Sequence, residues 1–238
     1  MKVGTDGTLL GAWASVPNVE GTVRVLDVGT GTGLIALMMA QRFPEARVVG
    51  IDIDADTVLQ AQENVAASPF SDRVTILRQD FSDAASPFSD RVTILQQDFA
   101  DAVESSERGW HAIVCNPPFF TQSLPCPDDK RTMARHDGTL TYRTLATNAW
   151  QLLRDDGELS VIVPADQQQR MDAEASLAGL FKSRVCMVKT SPAKPPKRVL
   201  LAYRKHPAVL QRQELAIGSA AYHELTKDFY HEDYHSAD

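Results

Sequence analysis

Three cysteines, Cys115, Cys126 and Cys186, are all that 238 residues contain, and no two of them form a Cys-x-x-Cys pair. Widely spaced thiols in odd number support neither a disulfide framework nor a thiolate metal cluster, so they read as reduced packing groups. Long apolar runs are also missing: nothing approaches the ~18 residues of a membrane helix, and the start lacks the charged-then-apolar pattern of a secretory signal. A cytoplasmic location with no membrane contact is expected. Basic residues are in the minority, 24 Lys and Arg against 31 Asp and Glu, for a net charge of −7. That balance excludes tight, indiscriminate nucleic-acid binding, because affinity for phosphates comes from neutralising cations. An RNA partner would have to meet a local basic patch. Three of the six histidines, His223, His231 and His235, fall in a polar tail, and no metal site is expected.

What is present is ordinary globular material, 43% hydrophobic and 23% charged, enough for one domain over residues 1–238. The patterns alternate. Val23 to Asp27 reads as a strand running into a glycine-rich turn, and Leu34 to Phe43 as the helix after it. Arg47 to Ile53 reads as a second buried strand, and Ala55 to Ala66, with Val58, Ala61 and Val65 in helical spacing, as its helix. Ala112 to Cys115 is a third apolar strand. Leu140 to Leu153 reads as a helix, Asp155-Asp156-Gly157 as a turn and Glu158 to Val163 as a strand. Met171 to Phe181 then reads as a helix. Arg184 to Lys189 and Arg198 to Arg204 flank a Pro- and Lys-rich turn as a closing hairpin. Alternating units of this kind predict an α/β fold: a mostly parallel, doubly wound sheet with an antiparallel C-terminal edge and helices on both faces.

One feature interrupts the alternation. Residues 67–84 (ASPFSDRVTILRQDFSDA) are repeated by 85–102 (ASPFSDRVTILQQDFADA), differing at Arg78/Gln96 and Ser82/Ala100. Two copies are too few for a solenoid. Each holds one strand and an acidic turn, and the sheet has one place for them. The second copy keeps a short path to the Ala112 strand and the first a short path to the Ala55 helix, so sequence alone does not decide between them; the second, Asp98 copy is the favoured occupant.

Two motifs point to chemistry. Asp27-Val-Gly-Thr-Gly-Thr-Gly33 lies where a strand becomes a helix, and its glycines let backbone approach a cofactor that a Cβ would exclude. The G-x-G-x-G spacing, with an acid two residues ahead, suits the amino-acid end of S-adenosylmethionine better than a pyrophosphate. Asp27, Gly29, Gly31 and Gly33 are therefore candidate cofactor residues. Asp52 stands at the next strand end, where a carboxylate can accept both ribose hydroxyls, while Asp54 reads as a helix cap. After the repeated strand, Asp98 with Phe99, or Asp80 with Phe81, supplies an acceptor for an adenine amine beside an aromatic ring. Asn116-Pro117-Pro118-Phe119 follows the third strand. Its Asn oxygen and Pro117 carbonyl can accept from one planar –NH2 group, and Phe119 can stack on a flat ring. Holding an amine this way orients its lone pair, so no classical general base is expected. Lys130-Arg131, Arg135-His136 and Lys194/Lys197-Arg198 are candidate phosphate contacts.

With these motifs in view, the chain resembles the bacterial tRNA1(Val) adenine-N6 methyltransferases. Its opening Met1-Lys-Val-Gly-Thr-Asp-Gly-Thr-Leu-Leu-Gly-Ala-Trp13 looks like that family's N-terminal motif, and the likeness runs through Lys194-Pro-Pro-Lys-Arg198 to Tyr222-His-Glu-Leu-Thr-Lys-Asp-Phe-Tyr230. The resemblance implies a Rossmann-like class I methyltransferase with a seven-stranded sheet. Residues 1–15 would lie near the cofactor, with Lys2, Gly4 and Asp6 at its amino-acid end, and residues 205–238 would form a tail packed on the domain. It further implies a monomer that methylates N6 of the adenosine 3′ of a valine tRNA anticodon. Asn-Pro-Pro alone also fits ribosomal RNA guanine-N2 and protein-glutamine N5 methyltransferases, or a cofactor- and RNA-binding module without turnover. Phe119 and the N-terminal motif favour nucleic acid. Family members usually carry a short segment ahead of this motif, and the duplication has no counterpart the family implies; both predict lowered stability.

Overall fold

A computed structural model describes residues 4–18, 21–81, 109–117 and 140–229. Among these, helix α1 (Thr5–Trp13) precedes β1 (Val23–Val28), α2 (Leu34–Arg42), β2 (Ala46–Asp52), α3 (Ala55–Ala66) and β3 (Val74–Arg78). Then come β4 (Trp110–Cys115), α4 (Tyr142–Leu152), β5 (Leu153–Pro164), α5 (Gln168–Leu177), β6 (Phe181–Lys189), β7 (Pro196–Arg204), β8 (Gln211–Ala216) and α6 (Ala220–Thr226). The strands form one sheet in the order β3-β2-β1-β4-β5-β7-β6-β8. All neighbours are parallel except those of β7, which runs against both β5 and β6.

The central strands are buried on both faces, which is why they read as near-continuous apolar runs. On one face Val25, Val48, Val74, Ala112 and Val114 pack with Leu9, Leu10 and Trp13 of α1, Ile35 and Met39 of α2 and Val58, Ala61 and Val65 of α3. On the other, Leu26, Val49, Ile51, Ile113 and Val161 pack with Leu145, Ala146 and Ala149 of α4 and Met171 and Ala175 of α5. Cys115 and Cys186 are buried free thiols within these layers; Cys126 lies outside the described residues. Asp54 caps α3 as expected, its Oδ1 accepting from the Thr57 amide at 2.8 Å. No helix of the described residues is long and apolar enough to cross a membrane.

The sheet departs from expectation at three places. It holds eight strands, not seven, because β8 pairs in parallel with β6 where a packed tail was expected. Its polar Gln211-Arg-Gln-Glu sequence hides the strand, since an edge strand faces water along most of its length. Asp155-Asp156-Gly157 is not a turn but an irregular stretch within β5, where the pairing with β4 jumps from Trp110↔Leu153 to Ala112↔Glu158. Gly157 allows this: a Cβ there would stand 2.8 Å from the Trp110 carbonyl oxygen. Third, the place beside β2 belongs to the first repeat copy, β3, not to the copy bearing Asp98 and Phe99.

The first copy wins through its connection to α3. The Ser68 amide and hydroxyl both donate to the Val65 carbonyl, at 3.0 and 2.8 Å, closing the helix end directly into the turn before β3. The Arg73 guanidinium then ties that turn to the carbonyls of Ala40, Phe43 and Ala46. In the second copy the counterpart of Ser68 is Ser86, which does not follow the end of α3 in the chain, so it cannot make the Val65 bonds in the same way. It lies outside the described residues. Deleting residues 85–102 shortens the connection from Arg78 to Trp110 by more than half and leaves β3 intact. Loop-closure entropy alone then favours the shortened chain by about 0.8 kcal/mol, roughly 2 to 3 °C in Tm. A thermal melt checks this; a lower Tm on deletion would show that the second copy supports the fold.

Candidate active site

The chain runs β1-β2-β3 toward one edge and β4-β5 toward the other, so a crevice opens where β1 and β4 lie side by side. Such a reversal point is where open α/β sheets bind ligands, beyond the strand C-termini. Val28 is in register with Cys115, which brings Gly29 and Asn116 together at the head of the crevice.

From β1 the loop turns through Gly29, Gly31 and Gly33 at φ of 68°, 58° and 82°, a left-handed conformation that favours glycine. The Gly29 and Thr30 amides donate to the Ile51 carbonyl, at 2.9 and 3.0 Å, fastening the loop over β2. Apart from its chain neighbours, no atom of the described residues lies within 4 Å of where a Gly29 Cβ would stand, which leaves room for a ligand along this stretch of backbone. Gly33 caps α2, whose N-terminus faces the loop.

Asp27 is fully buried beneath the loop. Its Oδ2 accepts from the Thr30 hydroxyl at 2.6 Å and from the Ala36 amide at 3.1 Å. Its Oδ1 has no hydrogen-bond partner among the described residues. Burial pushes the carboxyl up to about 7 against the pull of the Thr30 and Ala36 bonds, with Asp52 adding to the rise. The raised value means the folded chain holds a proton that the unfolded chain has released, so Asp27 lowers stability as pH rises from about 4 to 7. Asp27→Asn keeps an accepting oxygen and removes the charge. It is expected to melt higher than the parent at pH 8, with the difference vanishing near pH 4, and to bind cofactor more weakly; paired melts and calorimetry check both.

Asp52 ends β2 with its Oδ2 accepting from the Gly31 amide at 3.0 Å and its Oδ1 from the Asp54 amide at 3.1 Å. The carboxylate is thus fixed at the mouth of the glycine loop. Ile53, expected inside the second strand, lies past the end of β2 and is 51% exposed, a large apolar surface beside that carboxylate. The Gln79 amide extends the β2–β3 ladder by donating to the Asp52 carbonyl at 2.9 Å, which sets Asp80 at the same sheet edge. Phe81 is buried in the core, its carbonyl accepting from the Asn148 side-chain Nδ2 at 2.7 Å. Asp98 and Phe99 lie outside the described residues.

Asn116 ends β4. Its Oδ1 is buried without a hydrogen-bond partner among the described residues, and Pro117 beside it is buried. Pro118 and Phe119 lie outside the described residues, as does Lys2. Gly4 and Asp6 open α1, which leans on the start of α2: a Cβ on Gly7 would stand 3.2 Å from Leu34, the residue after Gly33. Asp6 is held by Arg198, whose Nε donates to Oδ2 at 2.8 Å. Arg198 therefore serves the N-terminal helix, where the sequence pattern had suggested a phosphate contact. Arg198→Ala should free the first turn of α1 and weaken cofactor binding about tenfold by calorimetry, one charge-assisted bond's worth; unchanged binding would detach α1 from the site.

Thr30 and Gly50 escaped the sequence reading. Thr30 is buried against β2, and a Cβ on Gly50 would stand 2.6 Å from its hydroxyl oxygen. Gly50 thus makes room for the Thr30–Asp27 bond, and a glycine inside a strand is the signal that points to such a close approach.

A glycine loop over β1, an acid at the end of β2 and an Asn-Pro at the end of β4, in this strand order, define a class I methyltransferase. The comparisons agree. The sequence matches the family described as a methyltransferase domain over residues 25–108. Over 97% of its length it is 41% identical to the tRNA1(Val) (adenine(37)-N6)-methyltransferase of Bacteroides thetaiotaomicron, covering 90% of that protein. The enzymes of that name from Porphyromonas gingivalis and Trichodesmium erythraeum are 42% and 38% identical, again over 97% of this chain and 89% and 91% of theirs. The fold is similar to that of a predicted O-methyltransferase from Agrobacterium tumefaciens, with a TM-score of 0.66 at 17% identity over 94% of this chain and 96% of that one. The chain belongs to the tRNA1(Val) (adenine(37)-N6)-methyltransferase family.

Proposed function

We propose that this chain methylates N6 of adenosine 37 in tRNA1(Val), as a cytoplasmic single-domain monomer. The observation that carries the reading is the buried Asn116 Oδ1, an acceptor with no partner among the described residues, beside the open glycine loop. A buried polar atom left unsatisfied costs stability and calls for a function. The open face of Gly29 and the unpartnered Asp27 Oδ1 fit the amino-acid end of S-adenosylmethionine, the Asp52 carboxylate fits its ribose, and Ile53 and Asp80 fit the face and edge of its adenine.

The bound cofactor supplies an electrophilic methyl group. The residues of the chain bind and orient the amine that receives it. Asn116 Oδ1 and the Pro117 carbonyl accept the two N–H groups of the adenine amine. With both hydrogens held, the nitrogen lone pair is turned out of conjugation with the ring and toward the glycine loop. Phe119 suits a stacking partner for the base. Positioning of this kind supplies the rate enhancement without a strong base; the nitrogen becomes cationic as it gains the methyl group and then releases its proton to solvent water.

Offering the chain total tRNA, ribosomal RNA and protein together with methyl-labelled cofactor tests the reading. Label is expected in tRNA as N6-methyladenosine. Label in guanine N2 of ribosomal RNA, or in protein glutamine, would transfer the site to those chemistries, and cofactor binding without transfer would make the chain a binding module.

A further inference from the structure

The edge of the sheet that holds the site is acidic. Asp52, Asp54, Asp80 and Asp166 all follow or end strands there, which opposes the approach of a polyanion. Most cations of that edge are already engaged. Arg198 is bound to Asp6, Lys189 donates to Glu214 at 2.7 Å, and the Arg78 Nε donates to the Ile53 carbonyl at 3.2 Å. Lys194 and Lys197, in the connection from β6 into β7, are different: both are exposed, and neither has an ion-pair partner among the described residues.

Their placement is built. The Lys194 amide donates to the Ser191 carbonyl at 3.1 Å, closing a turn, and Pro192, Pro195 and Pro196 restrict the backbone on either side. Lys189 pairs with Pro196, and Arg198 with Pro164 at the end of β5, so the hairpin stands on the same edge as Asn116. From β4 it is two strands away, about 10 Å at ordinary strand spacing. It lies on the side of β4 away from the glycine loop and Asp52, where the rest of a substrate would extend once its base occupied the crevice.

We infer that this hairpin is a phosphate-binding site for the substrate RNA, in which Lys194 and Lys197 contact the backbone of the nucleotides flanking the methylated base. The inference rests on the tRNA reading above. With the backbone already fixed by the turn and the prolines, only the two lysine side chains remain to be ordered on binding, and they place positive charge where an acidic surface otherwise repels the ligand. They contribute affinity and register and do not read the base.

The test is binding of an unmodified tRNA1(Val) transcript to the full chain across a range of salt concentrations, with methyl transfer and calorimetric cofactor affinity measured in parallel. For Lys194→Ala/Lys197→Ala we expect tRNA affinity about tenfold lower at low salt. The slope of log affinity against log salt should become shallower by about 1.4 to 1.8, the loss of two phosphate contacts. Cofactor affinity should not change, and Lys194→Arg/Lys197→Arg should restore the slope. Affinity and slope equal to the parent's would overturn the hairpin site while leaving the tRNA reading intact. A parent chain that transfers no methyl to tRNA would overturn that reading and this inference with it.

Discussion

Asn116→Ala is expected to lower kcat about 100- to 1,000-fold while leaving cofactor affinity within about twofold, the size of effect seen when one oriented polar group is removed from a reacting centre. The asymmetry follows from where Asn116 stands. It ends β4, across the crevice from the glycine loop, and it makes no hydrogen bond to Asp27 or Asp52, whose own bonds run to Thr30, Ala36, Gly31 and Asp54. Removing the amide therefore leaves the cofactor loop untouched. What is lost is the acceptor that turns the amine lone pair out of conjugation, a contribution that grows toward the transition state. Asn116→Asp keeps an accepting oxygen in the same place and should lose less. Single-turnover transfer under saturating tRNA separates these effects from binding. A kcat unchanged by Asn116→Ala would remove Asn116 from the reaction.

The largest effect on stability is expected at Glu158. Its side chain is fully buried, and groups from β5, β6, β7 and the segment after α1 converge on it. Oε1 accepts from the Ser15 hydroxyl at 2.8 Å and from Arg184 at 2.6 Å, and Oε2 accepts from Arg204 at 3.0 Å and from the Ser183 hydroxyl at 3.2 Å. Arg184 extends the cluster to α1, lying 4.0 Å over the Trp13 ring and donating to the Trp13 carbonyl. Glu158→Ala leaves Arg184 and Arg204 without their carboxylate and the Ser15 hydroxyl without its acceptor. Breaking a buried pair from one side costs about 3 to 5 kcal/mol, on the order of 10 °C in Tm for a chain of this size. The same residue sets an acid limit. Burial is the largest single influence and pushes the Glu158 carboxyl up, but the charge and bond of Arg184 together with the Ser15 and Arg204 bonds outweigh it and hold the group below its ordinary 4.5. A lowered folded value adds stability that is fully present above about pH 4.5 and is lost as pH falls through the folded value. Urea titrations at pH 7 and pH 3 should show the gap between parent and Glu158→Ala narrowing in acid; a constant gap would contradict the charged pairing.

The two readings that sequence alone supported best were those whose residues act through backbone geometry. Glycines at 29, 31 and 33 and an Asn-Pro-Pro after an apolar strand announce a conformation, and local pattern determines it. Glu158 was invisible as a buried ion because it follows Asp155-Asp156-Gly157, which has the composition of a solvated turn. Only the pairing of β5 with β4 and β7 encloses it. The burial of Phe81 was not legible either, because an aromatic beside an acid has the composition of a turn, and only the packing of α4 against the sheet draws it into the core. The repeat copies posed a different problem. Where two segments match at nearly every position, composition and periodicity cannot rank them, and the decision passes to chain continuity at Val65 and Ser68. The polar β8 shows the same limit, since an edge strand needs no apolar alternation to pair.

The central claim, that the crevice between β1 and β4 delivers a methyl group to N6 of adenosine 37, is tested most directly on one RNA. An unmodified tRNA1(Val) transcript is incubated with the chain and S-adenosylmethionine, digested into fragments and mapped by mass spectrometry. The account predicts a single added methyl group in the anticodon-loop fragment, located on N6 of position 37, and its loss in a transcript with guanosine at that position. A methyl group at another nucleotide, or an unmodified transcript in the presence of bound cofactor, would contradict it.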